Sequence, residues 1–163
     1  MRVKYLSMFA ALLLVSACQS APETADTSNA GGNTSVAPAQ PAGPVPGTAE
    51  DFVVNVGDRV FFGFDRYDLT PEATATLDRQ AAWLKQYPGV TVTVEGHADE
   101  RGTREYNLAL GDRRASAVKN YLVALGVDAG RVQTISYGKE RPAVLGSNES
   151  AWAQNRRGVT VVN

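Results

Sequence analysis

His97, Asp99, Glu100 and Arg114 lie close together in the segment VEGHADERGTREYNLALGDRRASAV, residues 94–118. The segment reads as a strand ending at Glu95, a polar loop with the histidine and both carboxylates, and a helix starting near Thr103. Arg114 falls three turns into that helix, so an acid on the loop and an arginine on the helix can face one pocket of mixed charge. Such a pocket suits a zwitterion, with an ammonium and a carboxylate on one carbon. Arginine grips a carboxylate through two parallel N–H bonds. Free amides at the helix start add attraction for an anion. Asp99 supplies the acceptor for an ammonium.

Other chemistries fit these residues less well. Zinc sites draw three or four ligands from His, Cys and carboxylates, and this chain has one histidine and one cysteine. No serine or cysteine is placed as a nucleophile beside His97, so catalysis is not expected. Gly96, Gly102 and Gly111 lack the spacing of a dinucleotide fingerprint and read as turn and close-packing residues. Two readings stay open for His97, a residue that orders the loop or a direct ligand contact. Asp99 and Arg114 could also form a plain surface salt bridge, which is worth little. Among the arginine pairs, Arg114 is assigned to ligand and Arg113 to scaffold. One of Arg156 and Arg157 is expected to brace the sheet edge or the loop.

The surrounding elements are legible from pattern. Val53 to Phe64 is rich in β-formers and reads as a strand. Asp65 to Leu69 is a polar turn. Thr70-Pro71-Glu72 is a helix start, with a capping hydroxyl, proline at the first position and an acid in the first turn. Ala73, Leu77, Ala81 and Leu84 form its apolar stripe, and Pro88-Gly89 stops it. Val90 to Glu95 alternates as a half-buried strand. The second helix, Thr103 to Leu125, closes at Gly126. Leu108, Gly111, Ala115, Val118, Leu122 and Leu125 form its core stripe. A neighbouring stripe of Asn107, Leu110, Arg114, Ala117 and Tyr121 flanks the loop. Val132 to Tyr137 is a third strand. Ser147 to Asn155 is a short helix with Trp152 packing inward, and Gly158 to Val162 is the last strand. The order β-α-β-α-β-α-β gives the fold class, an α/β sandwich with helices over one mixed sheet.

The chain divides into three parts. Residues 1–17 read as a secretory signal, with Arg2 and Lys4 ahead of an apolar run too short to span a bilayer. Residues 18–49 are Cys18 and a tether rich in Ala, Pro, Gly, Ser and Thr, with five prolines. That composition buries too little to offset the entropy of ordering. About thirty such residues reach roughly 30 Å as a coil and ~100 Å stretched. Residues 50–163 form the globular domain. The net charge of -1 excludes a basic nucleic-acid surface.

Several segments carry a resemblance. VSAC before residue 19 resembles a bacterial lipobox, which implies a covalent lipid on Cys18; Gln19 favours the outer membrane. FFGFDRYDLTPEA at 61–73, VEGHADERGTREYNLALGDRRASAVKNYL at 94–122, SYGKERP at 136–142 and NRRGV at 155–159 resemble the outer membrane protein A C-terminal-like family. The likeness is closest to its peptidoglycan-associated lipoproteins. It implies non-covalent binding of the peptidoglycan stem peptide through meso-diaminopimelate, no enzymatic activity, and no cofactor or metal. It places the clamp on Asp99 and Arg114, with further ligand contacts at Phe64, Asp65, His97, Ala98, Asn107 and Leu110. The implied location is the outer membrane, with the domain in the periplasm. Implied partners are peptidoglycan, the propeller protein TolB and the Tol complex, which draws the outer membrane inward in division. TolB and peptidoglycan are expected to exclude one another. A flagellar stator anchor or a wall-cleaving enzyme are the competing readings.

Overall fold

The computed structural model describes residues 43–163. Signal, Cys18 and most of the tether lie outside the described residues. Four strands form one mixed sheet in the order β1-β4-β2-β3. They are β1 (Arg59–Phe61), β2 (Val92–His97), β3 (Val132–Gly138) and β4 (Arg157–Val162). β4 runs antiparallel to both β1 and β2, while β2 and β3 are parallel. A parallel neighbour requires a crossover helix, and α3 (Arg104–Ala124) supplies it. The α/β expectation holds, with α2 (Pro71–Gln86) and α4 (Glu149–Asn155) between the other strands.

α2 begins where its sequence says. Thr70 accepts a hydrogen bond from the Ala73 amide, Pro71 takes the first turn, and Ala73, Leu77, Ala81 and Leu84 are buried. α3 is capped by Thr103, which accepts from the Tyr106 amide. It lies directly on β2. A Cβ on Gly96 would land on the Gly111 carbonyl, and one on Gly111 would meet the Ser136 hydroxyl. Two glycines thus let helix and strand backbones touch, which fixes the height of Arg114 above the end of β2.

The amino-terminal strand is a correction. Thr48 caps a short helix, α1 (Ala49–Asp51), that continues as a wide turn through Val56. Val53 and Val54 are exposed, and strand begins only at Arg59. The reason is Asp51. Its carboxylate accepts from the Gly47 amide, Asn55 Nδ2 and, at 2.8 Å, Trp83 Nε1. Phe52 then packs edge-on against Trp83, ring centroids 4.9 Å apart. These tertiary bonds override the β preference of two valines.

Candidate functional site

β2 ends in a register shift between Gly96 and His97, and the loop it releases is held from several sides. The Ala98 amide donates to the Gly138 carbonyl. Asn107 Nδ2 donates to the carbonyls of Arg101 and Thr103. Lys139 Nζ donates to those of Glu100 and Gly102. Asp99 accepts from the Arg101 amide two residues on, an Asx turn. Opposite stands the loop after β1, where Asp65 adopts a left-handed φ of 55°, a conformation open to aspartate.

Arg114 joins the two loops. Its Nε donates to the Arg66 carbonyl at 2.8 Å, Nη1 to His97 at 2.7 Å and Nη2 to Gly63 at 3.1 Å. The residue is 0% exposed. Burial pulls its pKa below the usual arginine value, to about 10, so it stays charged at neutral pH. Among the described residues no carboxylate lies within 4 Å of it. The scaffold assignment is therefore reversed: Arg113 is exposed, its guanidinium 5.6 Å from the Tyr67 ring centroid, and Arg114 does the bracing.

Between these groups lies a cavity of about 190 Å³, lined by Phe64, Asp65, Asp99, Arg101, Gly102, Tyr106, Asn107, Leu110 and Arg114. Asp99 and Arg114 thus share one cavity without pairing. Asp99 pairs instead with Arg101, Nη2 to Oδ2 at 2.6 Å, and with Arg156 at 3.4 Å. The plain Asp99–Arg114 salt bridge is thereby excluded. Burial works to raise the Asp99 pKa, but the hydrogen bonds from Arg101 and Arg156 prevail and hold it below the ordinary carboxylate value. Tyr106 donates its hydroxyl to Asp65, which raises the Tyr106 pKa.

Two predicted contacts fall elsewhere. The His97 side chain, 1% exposed, lies against the Tyr137 ring at 5.6 Å, with Nε2 3.4 Å from Glu95. Burial and the nearby Arg157 charge lower its pKa to about 4, so the ring is neutral. Only its main-chain carbonyl serves the site, by receiving Arg114. Ala98 lines a separate cleft with Glu100, Lys139 and Leu145. The register shift at Gly96/His97 breaks the regular pleat there, leaving the His97 ring against Tyr137 on β3 and Ala98 beyond the strand end, its amide bonded to Gly138.

The sequence reading missed Arg101, Gly102 and Tyr106. Arg101 is the most consequential of these. Its guanidinium lies 4.0 Å from the Phe64 ring centroid and 4.1 Å from that of Trp152. Trp152 is half-buried rather than a core residue, with Nε1 donating to Glu100. A cation two places past an Asx-turn aspartate was the available signal. Arg156 and Arg157 are both buried and both brace. Arg156 reaches the Phe62 carbonyl, Asp99 and Glu149, and Arg157 reaches the carbonyls of Asn155 and Arg141.

Comparison with known proteins bears on what this arrangement is. Residues 61–156 match the OmpA family model. The chain belongs to the OmpA family. The chain is 60% identical over 117 residues to a peptidoglycan-associated lipoprotein of Rhizobium meliloti, a match covering 72% of this chain and 66% of that one. It is 55% identical over 118 residues to the protein of the same name from Brucella melitensis, covering 72% and 70%. The crystal structure of the peptidoglycan-associated lipoprotein from Burkholderia pseudomallei superposes with a TM-score of 0.64 at 44% identity, over 65% of this chain and 90% of that one. The carboxy-terminal domain of Helicobacter pylori MotB shares the fold, with a TM-score of 0.61 at 20% identity, over 65% of this chain and 84% of that one.

Proposed function

We propose that this domain holds peptidoglycan non-covalently by the zwitterionic end of meso-diaminopimelate in the stem peptide. The observation that carries the reading is Arg114, a buried guanidinium on the wall of an open cavity with no carboxylate partner among the described residues. A buried charge is costly until it is paired, and an arriving carboxylate supplies the pair. Arg114 has five N–H groups and spends three on carbonyls, which leaves two for a ligand. Asp99 and Asp65 on the same walls favour an ammonium. Sites that engulf a whole small molecule span about 300–1,000 Å³. This cavity is smaller and takes one tip of a larger polymer. Phe64 and Tyr106 at the rim cover the aliphatic stem behind that tip.

Relatives named as peptidoglycan-associated lipoproteins support the peptidoglycan-associated part of a wider role, which we propose as follows. The chain is a lipoprotein anchored through Cys18 in the outer membrane, with its domain in the periplasm. As part of the Tol–Pal system, with TolB as partner, it links that membrane to the wall and supports its invagination in division. Modest single grips suffice, because anchoring raises the effective concentration of domain at the wall. No helix among the described residues is long and apolar enough to cross a membrane, and a lipid is the anchor this reading requires. Sedimentation with purified sacculi tests the grip: Asp99→Ala should stay in the supernatant where the wild-type chain pellets. Equal pelleting removes Asp99 from the site. Radiolabelled palmitate incorporation that disappears in Cys18→Ser tests the anchor.

A further inference from the structure

The Asp99 carboxylate has no acceptor position left. An ionised carboxylate offers about four lone-pair sites. Here Oδ1 receives the Arg101 amide at 3.1 Å and Arg101 Nε at 3.2 Å, and Oδ2 receives Arg101 Nη2 at 2.6 Å and Arg156 Nη1 at 3.4 Å. An incoming ammonium can bond Asp99 only if one of these donors leaves. The amide is fixed by its turn. Arg156 is buried and also tied to the Phe62 carbonyl and to Glu149. The Arg101 side chain is different. It is 31% exposed and approaches the carboxylate from the cavity wall.

We propose that Arg101 is a specificity-determining latch, an internal cation that occupies Asp99 until the ligand's own ammonium displaces it. The latch rests on the proposed stem-peptide reading and deepens it. The displaced guanidinium has somewhere to go. It is sandwiched between Phe64 and Trp152, and its Nη1 is already 3.9 Å from Glu149 Oε2. Rotation within the aromatic sandwich transfers it from Asp99 toward Glu149 while keeping both ring contacts. A ligand lacking an ammonium leaves the latch shut and reaches only Arg114. Asp99 therefore never stands uncompensated, and affinity for a zwitterion is set by an exchange of cations rather than by a new ion pair.

Arg101→Met separates the outcomes, since methionine fills the gap between the two rings without charge. The probes are a synthetic stem tripeptide ending in meso-diaminopimelate and the same peptide with its tip amine acetylated, titrated into the full chain by calorimetry. With the competing cation removed, the free-amine peptide should bind about tenfold tighter, roughly the worth of one charge-assisted pair. The acetylated peptide should bind both proteins alike. If wild type binds the free-amine peptide and Arg101→Met binds it no tighter, the latch is wrong and the stem-peptide reading stands. If neither protein binds it, both fall. Thermal unfolding confirms that the variant is folded. Nitrogen-15 spectra of the wild type give an independent check: the Arg101 Nε–H resonance should move in step with saturation, and an unmoved resonance in a saturated protein also overturns the latch.

Discussion

Arg114→Met should destabilise the fold as well as empty the site. The guanidinium makes three charge-assisted hydrogen bonds, to the carbonyls of Gly63, Arg66 and His97. Bonds to charged groups contribute about 1.5–3 kcal/mol each, so the set contributes on the order of 6 kcal/mol. Those contributions are already net of desolvation, and burial strong enough to lower the pKa to about 10 places this set at the low end of the range. The expected loss on substitution is about 4 kcal/mol, or more than roughly 10 °C in midpoint for a domain of this size. The assay is urea unfolding of the variant and the wild-type chain at pH 7, followed by tryptophan fluorescence. A variant within about 0.5 kcal/mol of wild type, the range of ordinary surface substitutions, would refute the bracing role. Loss of binding by an Arg114 variant therefore counts against the clamp or for it only beside its stability.

His97 gives a pH prediction. Its folded pKa of about 4 lies below the unfolded value near 6.5, so between those limits the unfolded chain binds more protons and stability falls as pH falls. The loss should approach about 3 kcal/mol by pH 4. His97→Gln should flatten the stability profile between pH 6.5 and 4.5 in urea unfolding; an unchanged slope sinks the assignment. Gly96→Ala should prevent folding or lower the midpoint by more than about 10 °C, because its methyl meets the Gly111 carbonyl. Gly89→Ala, which meets nothing within 4 Å, should leave the midpoint within a few degrees. Equal midpoints in circular dichroism melts would contradict the close approach of α3 and β2.

Local signals with a mechanism transferred well from sequence to structure. The Thr70-Pro71 start of α2, the Thr103 cap of α3 and the two glycines between α3 and β2 each depend on a few neighbouring atoms, and each sits where its residues imply. What failed depended on distant partners. Val53 and Val54 carry a β preference, but Asp51 is held by Trp83, thirty-two positions away, and the segment coils. The Arg113–Arg114 choice turned on bracing: sequence spacing put Arg114 beside the loop, yet nothing in it showed three carbonyls converging from two loops. The run His97-Ala98-Asp99 reads as one loop facing the cavity, yet a register shift at Gly96/His97, invisible in the sequence, turns the His97 ring onto Tyr137 and leaves Ala98 in a separate cleft. Little in the sequence around Arg101 marks it out, because its importance arises from Phe64 and Trp152, which are remote in sequence and meet only around its guanidinium.

The central claim is that one mixed-charge cavity receives the diaminopimelate tip. A backbone and side-chain NMR titration of the chain with the stem tripeptide tests it most directly. Shifts should concentrate at Phe64, Asp65, Asp99, Arg101, Tyr106, Asn107, Leu110 and Arg114, with the Glu95, His97 and Tyr137 side chains on the opposite face of the sheet quiet. Saturable shifts centred on that opposite face, or none at the cavity when the peptide is in excess, would contradict it.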